Sequence, residues 1–304
     1  MKSTLGNKLV NFFSAWLMKT DPPDRSYLCD FDRIRHEVRL GDVLLIEGRN
    51  RVSHIISQVT HSPWTHAALY IGRLYDITDP ALRVQVKKNY KGPIDSQMVI
   101  ESILGSGTII SPLSKYKDDH VRICRPLGLT HEDSQQVISF SLNRLGLKYS
   151  IRHIIDLFRF LVPYGFLPKR WRSSLFTQNA QKPTEDICST MIGEAFHSVH
   201  FPVLPQIQYS KDRGAELVRL NPKLLTPSDF DYSPYFAIIK YPMFPSTIYP
   251  SYRKLPWNEE GLLSDGEKIY QPKPEKPSKK EPPSPPAKDD PPASDAIKKY
   301  NEID

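Results

Sequence analysis

The sequence predicts an α+β domain, in which strands and helices form separate groups along the chain. Short apolar runs bounded by turn residues, the pattern of buried strands, recur between residues 41 and 124 and again at 235–241. Apolar residues at helical spacing occur at 130–145 and at 187–199. A proline-rich stretch at the end of the chain has neither pattern.

The individual elements follow from these patterns and from turn and cap residues. Strands are predicted at 41–46, 65–71, 99–103, 108–112, 121–124 and 235–241, and helices at 54–59, 130–145 and 187–199. Thr130 followed by Asp133 is a helix N-cap pair, and Gly146 is predicted to end the same helix. Residues 151–185 are predicted to form a helix and a loop that cover one side of the domain.

Composition divides the chain into three regions. Residues 1–24 are predicted to be an amphipathic arm, because one face of a helix there would carry Leu5, Leu9, Phe12, Phe13 and Trp16. The domain is predicted to span 25–250. In the last region, 251–304, nine of the 28 prolines fall between 272 and 292 among charged residues. Such a segment buries too little apolar surface to fold, so a disordered tail is predicted.

The charge balance favours an anionic partner. The chain carries a net charge of +7 and has an isoelectric point near 9.1, which suits a membrane surface, a cell-wall polymer or a nucleic acid. No nucleic-acid-binding motif accompanies the charge, so nucleic acid is not expected. An anionic membrane surface, met by the basic and apolar arm, is a predicted partner. The alternative is a basic protein with no anionic ligand.

No segment is a convincing membrane span or cleaved signal peptide. Uninterrupted apolar runs stay short of the roughly 18 residues that a spanning helix needs. The most apolar run near the start, 9–18, is interrupted by Asn11 and Ser14, and no small-residue cleavage site follows it. A cytoplasmic or peripheral membrane location is therefore favoured.

Cysteine usage indicates at least one free thiol, and Cys188 is the cysteine best placed to react. The three cysteines cannot all pair within one chain, and no CxxC motif or cysteine–histidine cluster indicates a metal site. Cys188 falls in the first turn of a predicted helix, where unpaired amides and the helix dipole favour the thiolate. Its own N–H can contribute to an oxyanion hole. The alternative is an ordinary buried cysteine on an apolar helix.

His66 opens a predicted strand and is the candidate base. Alternation along the strand places His66 and Tyr70 on one face, so Tyr70, with Trp64 in the preceding turn, is a candidate for substrate binding. The alternative for His66 is a structural histidine at a strand end. A metal site with His54 and His61 is not predicted, because spacings of seven and five residues suit no helix face or close ligand pair. No other cofactor is predicted.

Glu101 is a lone carboxylate in the apolar strand 99–103. A buried carboxylate is costly unless it is paired, and pairing with an imidazole N–H would explain its position. A thiol, an imidazole and a polar group that holds the imidazole are the three parts that a thiol hydrolase needs. The alternative is an edge strand with Glu101 facing solvent.

Five short motifs in a fixed order resemble the permuted papain-like amidases of bacteria, the YiiX-like group of the NlpC-type thiol hydrolase superfamily. They lie at 41–45, 64–72, 99–101, 146–150 and 187–189, and residues 225–236 are similar to the closing segment of the family. The resemblance spans about 41–240. Papain-like enzymes place the cysteine first, whereas the histidine comes first here and the cysteine last.

The resemblance implies an antiparallel sheet packed against a helix that carries the cysteine, with Cys188 as nucleophile, His66 as base and Glu101 as the orienting acid. It implies a cysteine-dependent hydrolase, or acyltransferase, that acts on an amide or ester bond through an acyl-enzyme. Peptide, peptidoglycan stem peptide and lipid remain open as substrates. The alternatives are a non-catalytic binding module and a lipid acyltransferase or lipase, because lecithin:retinol acyltransferase-like enzymes also place histidine before cysteine.

Two features depart from the family pattern. The family often has an acidic residue two positions after the cysteine, where this chain has Thr190. The segment 151–185 is also longer than the pattern implies, which bears on substrate access and specificity.

Overall fold

The computed structural model describes residues 29–103, 106–147, 188–210 and 214–242, and nearer the carboxyl terminus residues 255, 257–258, 260, 262–264 and 269–271. The predicted arm at 1–24, the segment 151–185 and the proline-rich stretch 272–292 lie outside the described residues. The helices are α1 (Phe31–Glu37), α2 (Arg51–Thr60), α3 (Pro80–Asn89), α4 (His131–Leu142), α5 (Cys188–Ser198) and α6 (Pro227–Tyr232). The strands are β1 (Val43–Glu47), β2 (His66–Gly72), β3 (Met98–Ile103), β4 (Gly107–Pro112), β5 (His120–Pro126), β6 (Gln206–Ser210), β7 (Gly214–Val218), β8 (Phe236–Ile239), β9 (Leu263–Ser264) and β10 (Ile269–Tyr270).

Six strands form one sheet in the order β4-β3-β2-β1-β5-β8, and each neighbouring pair is antiparallel. The first residue of β2, His66, lies opposite Ile46 of β1. On the other side of β2, Leu69 lies opposite Ile100 of β3. The strand β3 therefore lies inside the sheet, between β2 and β4, and the alternative of an edge strand at Glu101 is wrong.

Both faces of the sheet are covered, so the central strands read as continuous apolar runs. One face packs against α4 and α5, and its core includes Val43, Leu45, Ala67, Leu69, Met191 and Phe196. The opposite face packs against α1, and its core includes Ile34, Leu44, Ile46, Ala68, Val99 and Leu113. Each fully buried aliphatic side chain of this kind contributes about 1.5–3 kcal/mol relative to its exposed state.

The predicted α+β class is confirmed, and every predicted strand and helix that falls on described residues is present, with shifts at the ends. The Thr130 hydroxyl accepts a hydrogen bond from the Asp133 amide at 3.0 Å, as an N-cap does. The helix predicted to run to residue 145 ends at Leu142, because the chain continues to Gly146 in tight turns. Gly146 itself has a φ of 82°, the left-handed conformation that glycine adopts without strain.

The chain divides into two compact units, Met1–Pro245 and Ser246–Asp304. In the second unit, β9 and β10 form a short antiparallel ladder in which Ser264 lies opposite Ile269. Among the described residues, no helix combines the length and the apolar character needed to cross a bilayer.

Candidate active site

The helix α5 begins at Cys188, so the thiol lies at the helix N-terminus as predicted from the sequence. The amides of the first turn have no acceptor within their own helix and create a positive potential there. The backbone N–H groups of Ala67 and Ser189 help to lower the pKa of the Cys188 thiol. Two elements, the start of β2 and the start of α5, therefore contribute to the environment of the thiol.

His66 lies between the thiol and a carboxylate. Its Nε2 is 2.7 Å from Oε2 of Glu101, and Cys188 lies close enough to the imidazole to raise its pKa. Because Nε2 is hydrogen-bonded to the carboxylate, Nδ1 is the ring nitrogen that is available to interact with Sγ of Cys188. The antiparallel register continues from Leu69 opposite Ile100, which places Glu101 diagonally across from His66, within side-chain reach.

Glu101 is completely buried, and three donors surround its carboxylate. One is Nε2 of His66, and a second is Nζ of Lys115, which lies 2.7 Å from Oε1. The third is the hydroxyl of Tyr116, which donates to Oε2. Lys115 and Tyr116 lie in a 3₁₀ turn, Leu113–Tyr116, that directly follows β4. Neither residue is predicted from the sequence, although a buried carboxylate in an apolar strand requires such partners.

The acid–base properties of the three groups are strongly shifted. Burial alone lowers the pKa of His66, but the facing Cys188 and Glu101 raise it to about 10. Burial raises the pKa of Glu101, but the hydrogen bond and charge of His66, followed by Lys115, hold it well below its usual range. Burial likewise raises the pKa of Cys188, but the charge and hydrogen bond of His66 and the two backbone amides lower it overall. The site therefore favours a thiolate facing an imidazolium.

The other two cysteines have the opposite electrostatic environment. All three cysteines are free. Burial raises the pKa of Cys124 well above its usual range, and the charge of Asp231 adds to the effect. Burial also raises the pKa of Cys29. Cys188 is the cysteine whose environment promotes ionisation.

The structure does not bring Tyr70 to the thiol. Tyr70 lies four residues further along β2 than His66, which corresponds to roughly 13 Å of extended strand. Its hydroxyl accepts a hydrogen bond from Nε2 of Gln97 at 2.9 Å, and its side chain is buried. The geometry gives the predicted substrate-binding role of Tyr70 no support, because sharing a strand face with His66 does not make the two residues neighbours.

Trp64 precedes β2 but is itself buried, with 3% of its surface exposed. The Arg122 guanidinium lies 4.5 Å from its ring centroid, and its indole N–H donates to Asp231 at 3.3 Å. Arg122 in turn binds both carboxylate oxygens of Asp231 at 2.7 Å. These contacts fix Trp64 between β5 and α6, so its first role in the structure is to support the strand that carries His66.

Thr190 lies in the first turn of α5, two residues after Cys188. It is buried, and within the described part of the chain its hydroxyl has no hydrogen-bond partner. The described residues also contain no group of three or more histidine, cysteine, aspartate or glutamate side chains arranged to hold a metal ion.

A thiol at a helix N-terminus, facing an imidazole that is held by a carboxylate, is the arrangement of a nucleophilic cysteine. Residues 37–157 match the model of the family described as permuted papain-like amidase enzyme, YaeF/YiiX, C92 family. This match confirms the resemblance drawn from the sequence and, with the observed sheet and helices, the permuted papain-like fold. The family supports a cysteine-hydrolase type of activity in general. The matched segment contains His66 and Glu101 and ends before Cys188.

The solved structures include one similar to this chain. The crystal structure of the metalloprotein yiiX from Escherichia coli O157:H7 aligns with a TM-score of 0.41 and 15% sequence identity, over 68% of this chain and 98% of that one. No curated protein matches the chain.

Proposed function

We propose that this protein is a cysteine-dependent hydrolase that cleaves an amide or ester bond through an acyl-enzyme. The observation that carries the proposal is the set Cys188, His66 and Glu101, in which Nε2 of His66 lies 2.7 Å from the carboxylate. In this set the pKa of the thiol is lowered and that of the imidazole is raised. A thiolate is the nucleophilic form of cysteine, and an imidazolium is a proton donor. The resting site thus holds both reagents of the first step.

The first step acylates the enzyme. The Cys188 thiolate attacks the carbonyl carbon and forms a carbon–sulfur bond, and the negative charge moves to the carbonyl oxygen. The backbone N–H of Cys188 lies at the start of the helix and has no acceptor within it, so this N–H is the donor that stabilises that oxygen. When the carbonyl re-forms, the bond to the leaving nitrogen or oxygen breaks, and the His66 imidazolium gives that atom its proton.

The second step releases the acyl group. Neutral His66 now takes a proton from water, and the resulting hydroxide attacks the thioester carbonyl. The carbon–sulfur bond breaks, the carboxylic acid product leaves, and the thiolate–imidazolium pair is restored. Glu101 keeps the imidazole oriented through both steps, because the buried carboxylate accepts a hydrogen bond from Nε2 through its Oε2. A transferase would follow the same path with another acceptor in place of water.

Acylation by p-nitrophenyl acetate, followed by peptide mapping in a mass spectrometer, tests the proposal. We expect rapid release of nitrophenol and an acetyl group on Cys188 in the wild type and in Cys29→Ala, the matched control. We expect neither in Cys188→Ala. Equal labelling of the three cysteines of the wild type would overturn the proposal and favour a non-catalytic binding module.

A second assay, which also depends on formation of the acyl-enzyme, identifies the class of substrate. Peptide amides, peptidoglycan stem peptides and phospholipid vesicles would be offered in turn to the wild type and to Cys188→Ala. Cleavage of one class by the wild type alone identifies it, and an added amine or alcohol acceptor that captures the acyl group identifies transfer rather than hydrolysis.

A further inference from the structure

Taken by themselves, Cys188, His66 and Glu101 of the proposed site carry a net negative charge. In the reactive state Cys188 and Glu101 are both anionic, whereas His66 supplies a single positive charge. Both anions are buried, with exposures of 6% and 0%. An uncompensated charge in such a place is strongly unfavourable, and the site would relieve it by taking up a proton.

A second cation is present next to the carboxylate. Nζ of Lys115 lies 2.7 Å from Oε1 of Glu101, whereas His66 binds the other oxygen, Oε2. The two cations therefore bind the carboxylate from different sides and do not compete for one atom. The ammonium also lies 5.0 Å from the ring centroid of Tyr116, a cation–π distance that helps to hold it in place.

The position of Lys115 is a consequence of the sheet. The 3₁₀ turn Leu113–Tyr116 follows β4 directly, and β4 pairs with β3, the strand that carries Glu101. Tyr116 is anchored by burial and by its hydrogen bond to Glu101. Lys115, the preceding residue, is thereby held beside the same carboxylate, although 38% of its side-chain surface remains exposed.

We propose that Lys115 is a positioning residue that supplies the second positive charge of the active site, so that thiolate, imidazolium, carboxylate and ammonium balance one another. The inference rests on the proposed function, since it concerns the reactive state of Cys188. The groups that face Glu101 are His66 from β2 and Lys115 and Tyr116 from the 3₁₀ turn, and Cys188 from α5 acts through His66.

One further charge lies near the network. Asp119 contributes to the raised pKa of Tyr116, after burial, Glu101 and Cys188. Asp119 is paired with Arg49 at 3.0 Å, so its charge is already compensated. The balance within the site therefore depends on Lys115.

The sign of the effect of Lys115 is fixed by electrostatics. A nearby cation favours the deprotonated form of every neighbouring group, so its removal raises each neighbouring pKa. The rate of alkylation of Cys188 rises with pH as the thiol loses its proton, and this rise is the acid limb of the pH profile. In Lys115→Met the acid limb is expected at a pH about one unit higher than in the wild type. Lys115→Arg keeps the charge, and its acid limb should stay within a few tenths of a unit of the wild type.

The experiment measures iodoacetamide alkylation of Cys188 against pH by mass spectrometry, with the folded state of each variant checked by circular dichroism. Lys117→Met is the matched control: it removes the same charge two residues further on, from an exposed side chain. Solvent screens that charge, so its profile should match the wild type. Lys115→Gln serves as a second neutral variant should the methionine variant fold poorly.

The outcomes separate the inference from the proposed function. An ordinary thiol profile for Cys188 in the wild type would overturn the proposed function and the inference together. The acid limb of the wild type could lie at a lower pH than that of an ordinary thiol and yet stay in place in Lys115→Met or Lys115→Gln. That result would overturn the inference alone. Equal shifts in the arginine and neutral variants would also overturn it, because they would indicate packing and not charge.

Discussion

Two buried thiols of this protein, Cys188 and Cys124, have pKa values shifted in opposite directions, for reasons that burial cannot explain. Both side chains are almost inaccessible to solvent. In Cys124 burial raises the pKa, Asp231 raises it further, and Arg122 offsets only part of this. In Cys188 burial acts in the same direction, but His66 and two backbone amides reverse it. The neighbours of a buried thiol, and not its depth, decide whether it ionises.

The largest expected effect comes from removing the neighbour that distinguishes the two thiols. In His66→Ala the cation facing Cys188 is lost while burial remains, so the pKa of the thiol should rise above its ordinary value. Alkylation of Cys188 by iodoacetamide at pH 7 should fall by about a hundredfold or more, because each pKa unit removes about tenfold of the thiolate.

The matched control for this variant is His120→Ala. His120 also pairs with a carboxylate, since its Nδ1 lies 2.9 Å from Oε2 of Glu47. Its partner is Glu47 and not a residue of the proposed site, so its loss should leave alkylation within about twofold of the wild type. Equal rates in His66→Ala and the wild type would show that the helix N-terminus alone activates the thiol.

A second prediction concerns the carboxylate behind the imidazole and its dependence on pH. The pKa of Glu101 is lowered in the folded protein, so its ionised form adds stability above the unfolded-state pKa of about 4.3. That stability is lost as the pH falls below this value towards the lowered folded-state pKa. Glu101→Gln should therefore reduce the free energy of unfolding by about 2 kcal/mol at pH 7, with the difference shrinking in acid.

Urea unfolding at several pH values measures this difference. Glu37→Gln is the control, because the pKa of Glu37 is also lowered, mainly by its hydrogen bond to Arg125. Glu37 is at the surface and partly exposed, so its loss should cost less than about 1 kcal/mol. A stability difference for Glu101→Gln that grows as the pH falls would contradict the assigned ionisation.

A smaller effect is expected at the inert thiol. Cys124 lies in β5 opposite Val43 and is completely buried. Cys124→Ala removes one sulfur atom from the core and should cost about 1 kcal/mol of unfolding free energy, as small cavities do. The pH profile for alkylation of Cys188 should not move. A shifted profile would mean that the two thiols are coupled and that the pKa of Cys188 depends on more than its immediate neighbours.

The residues of the site differ in how far the sequence could predict them. Cys188, His66 and Glu101 were predicted because each is an unusual residue in an otherwise regular pattern: a cysteine at a helix start, a histidine at a strand start and a carboxylate inside an apolar strand. Lys115 and Tyr116 look like ordinary residues of a polar turn. Their role depends on the pairing of β3 with β4, and pairing is a long-range property that local pattern does not contain.

The errors in the fold have a similar cause. The strands of the central sheet were predicted from their apolar runs, because strands buried on both faces have a strong local signal. The helices α1, α3 and α6, the hairpin of β6 and β7 and the short ladder of β9 and β10 were not predicted. Residues of β6 and β7 are largely exposed, so their side chains do not follow the pattern of a buried strand. Asp79, which caps α3 through the amide of Ala81, was the available signal for that helix.

The smallest predicted effect concerns Thr190, where the family often has an acidic residue. Its buried hydroxyl lacks a partner among the described residues, and an unsatisfied buried hydroxyl is costly. Thr190→Val keeps the shape and a similar helix propensity, so the free energy of unfolding should rise by about 0.5–1 kcal/mol. The alkylation profile of Cys188 should stay unchanged, because no charge is altered.

Thr190→Asp adds a charge at the same position, whereas Thr190→Val adds none. A carboxylate in the first turn of α5, two residues after Cys188, adds negative potential near the sulfur, and this should raise the pKa of Cys188 and move the acid limb upward. Chemical denaturation and alkylation of both variants measure the two effects separately. A loss of stability in Thr190→Val would mean that the hydroxyl makes a favourable interaction.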